Sequence, residues 1–125
     1  MDTKDEAIKN AGFGRKWAVR SIIEQFERSL RDEKMLGIAI SFHNPKNQLF
    51  ITDKRVILRQ VKGPTNVEMV DILLKNITSF QIKQGMLKSK IEIRSSNQKI
   101  DIDDVLINIS EEMISILRNA VDRAS

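Results

Sequence analysis

Residues 77–103, ITSFQIKQGMLKSKIEIRSSNQKIDID, constrain the fold more than any other stretch, because they read as three consecutive antiparallel strands with one workable register. Phe80 and Ile82 alternate with polar residues, and Gly85 then breaks the run. Ile91 and Ile93 next alternate with Lys90, Glu92 and Arg94, the pattern of a sheet with one wet face. After a second break at Ser95-Ser96-Asn97-Gln98, Ile100 and Ile102 alternate with Lys99, Asp101 and Asp103. If Arg94 pairs with Lys99, then Ile93 meets Ile100 and Ile91 meets Ile102 on one face. A slip of one residue would turn every isoleucine into water. Glu92 and Asp101 are expected on the solvated face.

The rest of the chain prepares or closes this unit. Residues 1–14 lack periodicity, with Gly12 and Gly14 flanking Phe13, and read as a loose tail. Within 15–33, Val19, Ile22, Ile23, Phe26 and Leu30 form one stripe of an amphipathic helix. Glu24 with Arg28 and Glu27 with Arg31 are spaced for i,i+4 pairing on its other side. Residues 35–43 alternate large (Leu36, Ile38, Ile40, Phe42) with small or polar (Gly37, Ala39, Ser41, His43), a strand whose small side suits close approach of that helix. Asn44-Pro45 and Gly63-Pro64-Thr65-Asn66 read as turns. Between and after them, Gln48–Thr52, Arg55–Val61 and Val67–Ile72 read as strands. Past Asp103 the period changes: Ser110 suits an N-cap, Glu111 and Glu112 the first turn, and Met113, Ile114, Leu117 and Val121 a buried stripe over 110–124. The order is helix, seven strands within 35–103, helix. A length of 125 residues suits one domain, here 15–125.

The absence of cysteine excludes disulfide scaffolds, thiolate metal sites and cysteine nucleophiles. One histidine, His43, excludes two-histidine metal sites, and at a strand end it reads as a lone surface residue. Gly12-Phe13-Gly14 follows no strand and makes no phosphate loop. Asp101, Asp103 and Asp104 are the best carboxylate cluster, with the first two about 7 Å apart on one strand face, but they lie on a strand, where no loop wraps an ion. No cofactor and no metal are expected, and the chain reads as a non-enzyme. No apolar run approaches the length of a membrane span, and the polar start MDTKDEAIKN is unlike a signal peptide, so the cytoplasm is the expected location.

The net charge of +4 is unevenly placed: residues 54–94 carry nine Lys or Arg against three acids. Two candidate contact sites follow. The first is the hairpin tip at 83–90, whose register leaves Met86 and Leu87 as loop residues ringed by Lys83, Lys88 and Lys90. Either these two form a binding prong for a protein groove or bilayer, or they fold back and cap the core. The second mixes aromatics with cations at Phe13, Arg15, Lys16, Trp17 and Arg20, and could rest on an anionic membrane. A lone tryptophan is more often packed than exposed, so Trp17 is expected to lie against the sheets. Few aromatics and no recognised motif order argue against nucleic acid.

Leu49-Phe50-Ile51-Thr52-Asp53-Lys54-Arg55-Val56-Ile57-Leu58, with Ile77-Thr78-Ser79-Phe80 and Lys83-Gln84-Gly85-Met86-Leu87, resembles the bacterial pleckstrin-homology-like family of the YokE type over about residues 35–123. That resemblance implies an α+β, mostly β fold: a pleckstrin-homology-like barrel of about seven antiparallel strands with a C-terminal amphipathic helix, here with an added N-terminal helix. It implies binding without chemistry. The basic strand pair of lipid-binding eukaryotic relatives is missing, since Gln48-Leu49-Phe50-Ile51 carries no cation. The resulting expectation is a protein-interaction module with a protein partner. Its Ile-, Lys- and Asn-rich composition suits a bacterium or bacterial virus. A peripheral binder of anionic membranes is the alternative; a metal-dependent enzyme or nucleic-acid binder stands further off. The helical stripe at 19–30 must be covered, by its own sheet or by another copy, and a homo-oligomer is the expectation drawn from it.

Overall fold

The isoleucine register is realised as expected. In the computed structural model, which describes residues 2–11 and 16–125, β5 (Ile77–Gln84), β6 (Lys88–Ser95) and β7 (Lys99–Leu106) form one antiparallel sheet. Ile82 pairs with Ile91, Phe80 and Ile100 flank Ile93, Ile91 meets Ile102, and Arg94 meets Lys99. The four isoleucines at 91, 93, 100 and 102 are buried, and β7 runs on to residue 106, beyond its predicted end.

The other sheet has the order β1 (Met35–Ile40), β2 (Asn47–Thr52), β3 (Arg55–Val61), β4 (Val67–Leu73), all antiparallel, and a 3-10 turn at Leu74–Asn76 leads into β5. The two sheets face each other and do not close into a barrel by continuous pairing. They meet at one corner, where Phe42 N–H donates to the Asp104 carbonyl at 2.7 Å and the Ser41 hydroxyl donates to the Asp103 carbonyl at 2.8 Å. Asp104 takes a φ of 58° there, the left-handed region that an aspartate tolerates better than most residues.

Between the sheets lies the main core. Ala39, Leu49, Ile51, Val56, Leu58 and Ile72 from the first sheet meet the isoleucines of the second, and α3 (Ile107–Ala124) closes over them with Ile109, Met113, Ile114 and Leu117. Val121 packs at its margin. Ser110 is not the N-cap. The helix begins directly after β7, at Ile107. Ser110 instead lies buried in its first turn, its hydroxyl donating to the Ile107 carbonyl at 2.8 Å and accepting from Ser89 at 2.6 Å.

A second core lies on the opposite face of the four-stranded sheet. Ile38, Phe50 and Ile57 point there and are covered by α2 (Lys16–Ser29) through Val19, Ile23 and Phe26. Phe26 stacks on Phe50 with centroids 3.7 Å apart and planes at 15°, worth roughly 1 kcal/mol beyond the area buried. This settles which face of the sheet each helix takes: the face of Phe50 and Ile57 receives α2, with Ala7 of the N-terminal segment in the same cluster as Ile38 and Ile40, while the small side of β1 receives α3. At Gly37 an added Cβ would stand 3.0 Å from both Met113 Sδ and Ile116 Cδ1, so the close approach expected for the first helix belongs to the last one. The stripe of α2 therefore packs on its own sheet, and the reason for expecting a homo-oligomer from that helix falls away.

Part of the segment read as a loose tail is also ordered: α1 spans Thr3–Lys9. The Asp2 carboxylate accepts from Lys4 N–H at 2.8 Å as its N-cap, and Ala7 is buried. Thr3, buried, accepts the Ile38 amide of edge strand β1 at 3.0 Å, which satisfies a donor that no strand reaches. A seven-residue helix shows too little periodicity to be read from sequence, and tertiary contacts hold it: the Thr3 bond, the burial of Ala7 and the Lys4–Glu27 pair at 3.6 Å.

The Thr-Asp-Lys-Arg turn has a structural task. Thr52 is fully buried; its hydroxyl accepts the amides of Lys54 and Arg55 at 3.1 and 3.0 Å and donates to Glu33 at 2.7 Å. Arg55 bonds Glu33 at 3.0 Å and Asp71 at 3.3 Å. The hydrogen bond that Arg55 donates to Glu33 is the largest influence raising its pKa, and Asp71 adds to it against the opposing effect of burial. The turn thus ties the segment after α2 to β4.

Truncating Ile93 or Leu117 to Ala removes packing from a site under 2% exposed and is expected to cost about 2–5 kcal/mol in urea unfolding. A loss below about 1 kcal/mol at both would contradict this core.

Candidate functional site

The β5–β6 hairpin ends as its register demands. Gly85 N–H donates to the Lys88 carbonyl at 2.8 Å and leaves Met86 and Leu87 as the loop residues. An added Cβ at Gly85 would stand 2.9 Å from that carbonyl, so the close turn requires glycine. Met86 is 96% and Leu87 77% exposed; neither caps the core. Of the two alternatives for the tip, the buried cap is excluded by this geometry.

The cationic collar is less free than its sequence suggests. Lys83 and Lys90 are cross-strand neighbours, but Lys83 Nζ lies 3.1 Å from Glu92 Oε1. Lys88 turns to Asp104 of β7 and to the β1–β2 segment, with Nζ 3.6 Å from Asp104 Oδ1 and 4.6 Å from the centroid of the Phe42 ring. Lys90 has no ion pair among the described residues. The tip is therefore an apolar point with one uncommitted lysine beside it.

Glu92 corrects an expectation outright. It is 1% exposed, although it lies on the outer face of its sheet. Lys99 Nζ comes within 2.9 Å of Oε2, Gln81 donates to Oε1 at 3.0 Å, and Arg94 lies 3.9 Å away. Their long stems roof the carboxylate, so alternation that reads as wet is covered by its own neighbours. The hydrogen bond from Lys99, then that from Lys83, push the Glu92 pKa down to about 2, against burial. Asp101, its cross-strand partner, stays at the surface beside Lys99.

Asp104 joins the corner to the tip. Its carboxylate accepts His43 N–H at 2.7 Å and faces His43 Nδ1 at 3.0 Å. Burial is the strongest single influence and raises its pKa, but the His43 amide, the His43 ring and Lys88 together hold it below the ordinary aspartate value. The three aspartates accordingly do not converge: Asp104 turns to His43 and Lys88, Asp101 to Lys99. No group of three or more His, Asp or Glu able to hold a metal occurs among the described residues.

Phe13 and Arg15 lie outside the described residues. Lys16, Trp17 and Arg20 are all exposed on the first turns of α2, and Trp17, at 74%, is not packed on the sheets. The helix turns its Val19 side inward, and Trp17 lies off that stripe. Ala18 and Val19 share a cleft with His43, Asn44 and Pro45 of the β1–β2 turn, and His43 meets Lys88 at the base of the tip. The β1–β2 turn thus stands between the two candidate regions. Phe42, 42% exposed under Lys88, belongs to the same surroundings; as the last large residue of a predicted strand it gave no sequence signal of contact.

No described helix is long and apolar enough to cross a membrane. The sequence profile of a family described as "Bacterial PH domain" matches residues 20–122. Among solved structures, the chain is similar to a DUF1696-family protein with a pleckstrin-homology domain from Shewanella loihica PV-4, at a TM-score of 0.62 and 16% identity over 82% of this chain and 92% of that one. It is also similar to a pleckstrin homology domain from Shewanella amazonensis SB2B, at a TM-score of 0.56 and 19% identity over 81% and 86%. No curated protein matches. The family profile takes in α2 as well as the strands, and the resemblance carried by residues 49–58 and 77–87 holds at this family level.

A carboxylate whose folded pKa is depressed stabilises above its ordinary value and ceases to do so as pH falls through the folded one. For Glu92 that window runs from the ordinary 4.5 down to about 2. Glu92→Gln is expected to lower the melting temperature at pH 7 and to flatten the loss of stability between those limits. Melts that superimpose on wild type at every pH would show the lysine roof to be inconsequential.

Proposed function

The chain belongs to the bacterial PH domain family, and from that premise we propose that it is a non-enzymatic binding module that meets a protein partner through the β5–β6 tip. The observation that carries the reading is the exposure of Met86 and Leu87 in a two-residue loop that the fold itself does not need to be apolar. Large apolar side chains held on a rigid hairpin are what a partner's pocket buries at the centre of an interface, with a lysine such as Lys90 at its rim. Because Lys83 and Lys88 are engaged by Glu92 and Asp104, the partner's pocket is apolar first and acidic only at its edge.

One observation favours a second reading, contact with an anionic membrane. An exposed indole at Trp17 beside Lys16 and Arg20 is the combination that settles at a bilayer interface. Trp17 is the only tryptophan, so its emission reports directly. A blue shift with phosphatidylglycerol vesicles, reversed by salt, supports this reading; unchanged emission removes it.

The leading reading is tested by the double change Met86→Ser with Leu87→Ser and by a photo-crosslinking residue placed at 87 in the native host. Stability is expected to move by less than about 0.5 kcal/mol, since both positions are exposed. The crosslinked protein partner is expected to disappear when Met86 is serine. Capture that is unaffected by the change would move the site elsewhere.

A further inference from the structure

β4 is an edge strand that leaves its large hydrophobic residues uncovered. It pairs with β3 alone, and of its seven residues only Ile72 is buried. Val67, Met69, Val70 and Leu73 are all at least 40% exposed. The register places residues 67, 69, 71 and 73 on the side of the sheet that α2 covers over β1–β3, yet none of these four is buried. An edge strand this long and this apolar is a template for pairing.

Its open edge has a definite polarity. The Asn66 carbonyl accepts from Lys62, and Leu74 N–H donates to the Lys54 carbonyl, so both residues turn their backbone groups toward β3. Backbone direction alternates along a strand; the amides and carbonyls of Val67, Met69, Asp71 and Leu73 therefore point outward.

We infer that β4 pairs antiparallel with β4 of a second copy of this chain, about a two-fold axis at Val70. In that register Val67 lies opposite Leu73 and Met69 opposite Asp71, so all four outward residues of each copy meet outward residues of the other, with about eight hydrogen bonds in all. Charge selects the register. Shifting the axis to Asp71 or to Glu68 sets like carboxylates face to face, and shifting it to Met69 leaves Leu73 unmatched. With the axis at Val70, Glu68 lies across from Ile72, while Asp71 keeps its own Arg55 at 3.3 Å. Self-complementarity of this kind is what an isologous interface needs, and it favours a second copy over an unrelated strand.

Sedimentation velocity of the whole chain from low micromolar to near millimolar concentration reads the outcome. Wild type is expected to pass from monomer to dimer. Val70→Lys sets two lysines together on the axis, and Met69→Pro removes an outward amide without touching the β3 ladder. Each is expected to weaken association by about tenfold or more, with far-UV circular dichroism and melting temperature retained. Ser115→Lys on exposed α3 adds the same charge elsewhere and is expected to leave the dimer intact. A chain that is monomeric throughout overturns the inference. So does a dimer that survives both β4 substitutions, an oligomer larger than a dimer, or one that Ser115→Lys dissolves equally.

Discussion

Strands β1–β3 of the four-stranded sheet are covered on both faces, and the rest of the architecture follows from that requirement. Its inner face meets the isoleucines of β5–β7 and the stripe of α3; its outer face meets α2. A sheet buried on both sides cannot alternate apolar with polar, and Leu49, Phe50 and Ile51 are accordingly all 1% exposed or less. The two faces are then distinguished by size. Gly37 and Ala39 of β1 face α3, because that helix lies close; on the other face Phe26 stacks on Phe50 of β2 and holds α2 off by the thickness of a stacked pair. The three-stranded sheet has only one apolar side, and its other side is left for charges.

This difference explains what was legible in the sequence. The period-2 pattern of residues 80–102 gave strand boundaries, turn position and cross-strand partners, because one-faced burial writes register into composition. The same logic failed at Glu92, where alternation identified the outer face correctly but could not reveal that Lys83, Lys99 and Gln81 converge on one carboxylate. Outer-face position and exposure are different things when side chains are long. In the two-faced sheet the strands were legible as apolar runs, but the assignment of helices to faces was not, since Gly37 is equally suited to either neighbour. α1 was not legible because it is held by contacts distant in sequence, Thr3 with the Ile38 amide 35 residues away and Lys4 with Glu27 among them.

The site was legible in part for a related reason. Loop residues of a hairpin follow from register, so Met86 and Leu87 could be located; their exposure could not, since a turn can fold its side chains either way. Trp17 was misjudged because frequency of burial was set against a single residue that lies off the α2 stripe. The residues that carried the family resemblance prove to be fold determinants. Thr52 and Arg55 tie the β2–β3 turn to Glu33 and Asp71, and Gly85 permits the tight approach at the tip. A motif of that kind marks membership of a fold family without marking a ligand.

Binding surfaces are better sought where the fold leaves apolar groups without a partner. Among the described residues the large exposed hydrophobics are Trp17, Phe42, Val67, Met69, Val70, Leu73, Met86 and Leu87, and they fall into two groups. One is disposed about the β1–β2 turn, through the cleft beside Ala18 and the contact of His43 with Lys88; the other is β4 alone. The groups differ in kind. The first presents apolar side chains from turns and a helix end, so its affinity comes chiefly from pockets in whatever it meets. The second presents backbone donors and acceptors in a straight row, so its affinity comes from a strand, and its own sequence supplies a compatible one. Two surfaces with different requirements on different elements can be occupied together, and pairing along β4 would give the two-fold assembly two tips rather than one. Avidity for a repetitive partner or a surface then depends on the span between those tips, not on any further contact.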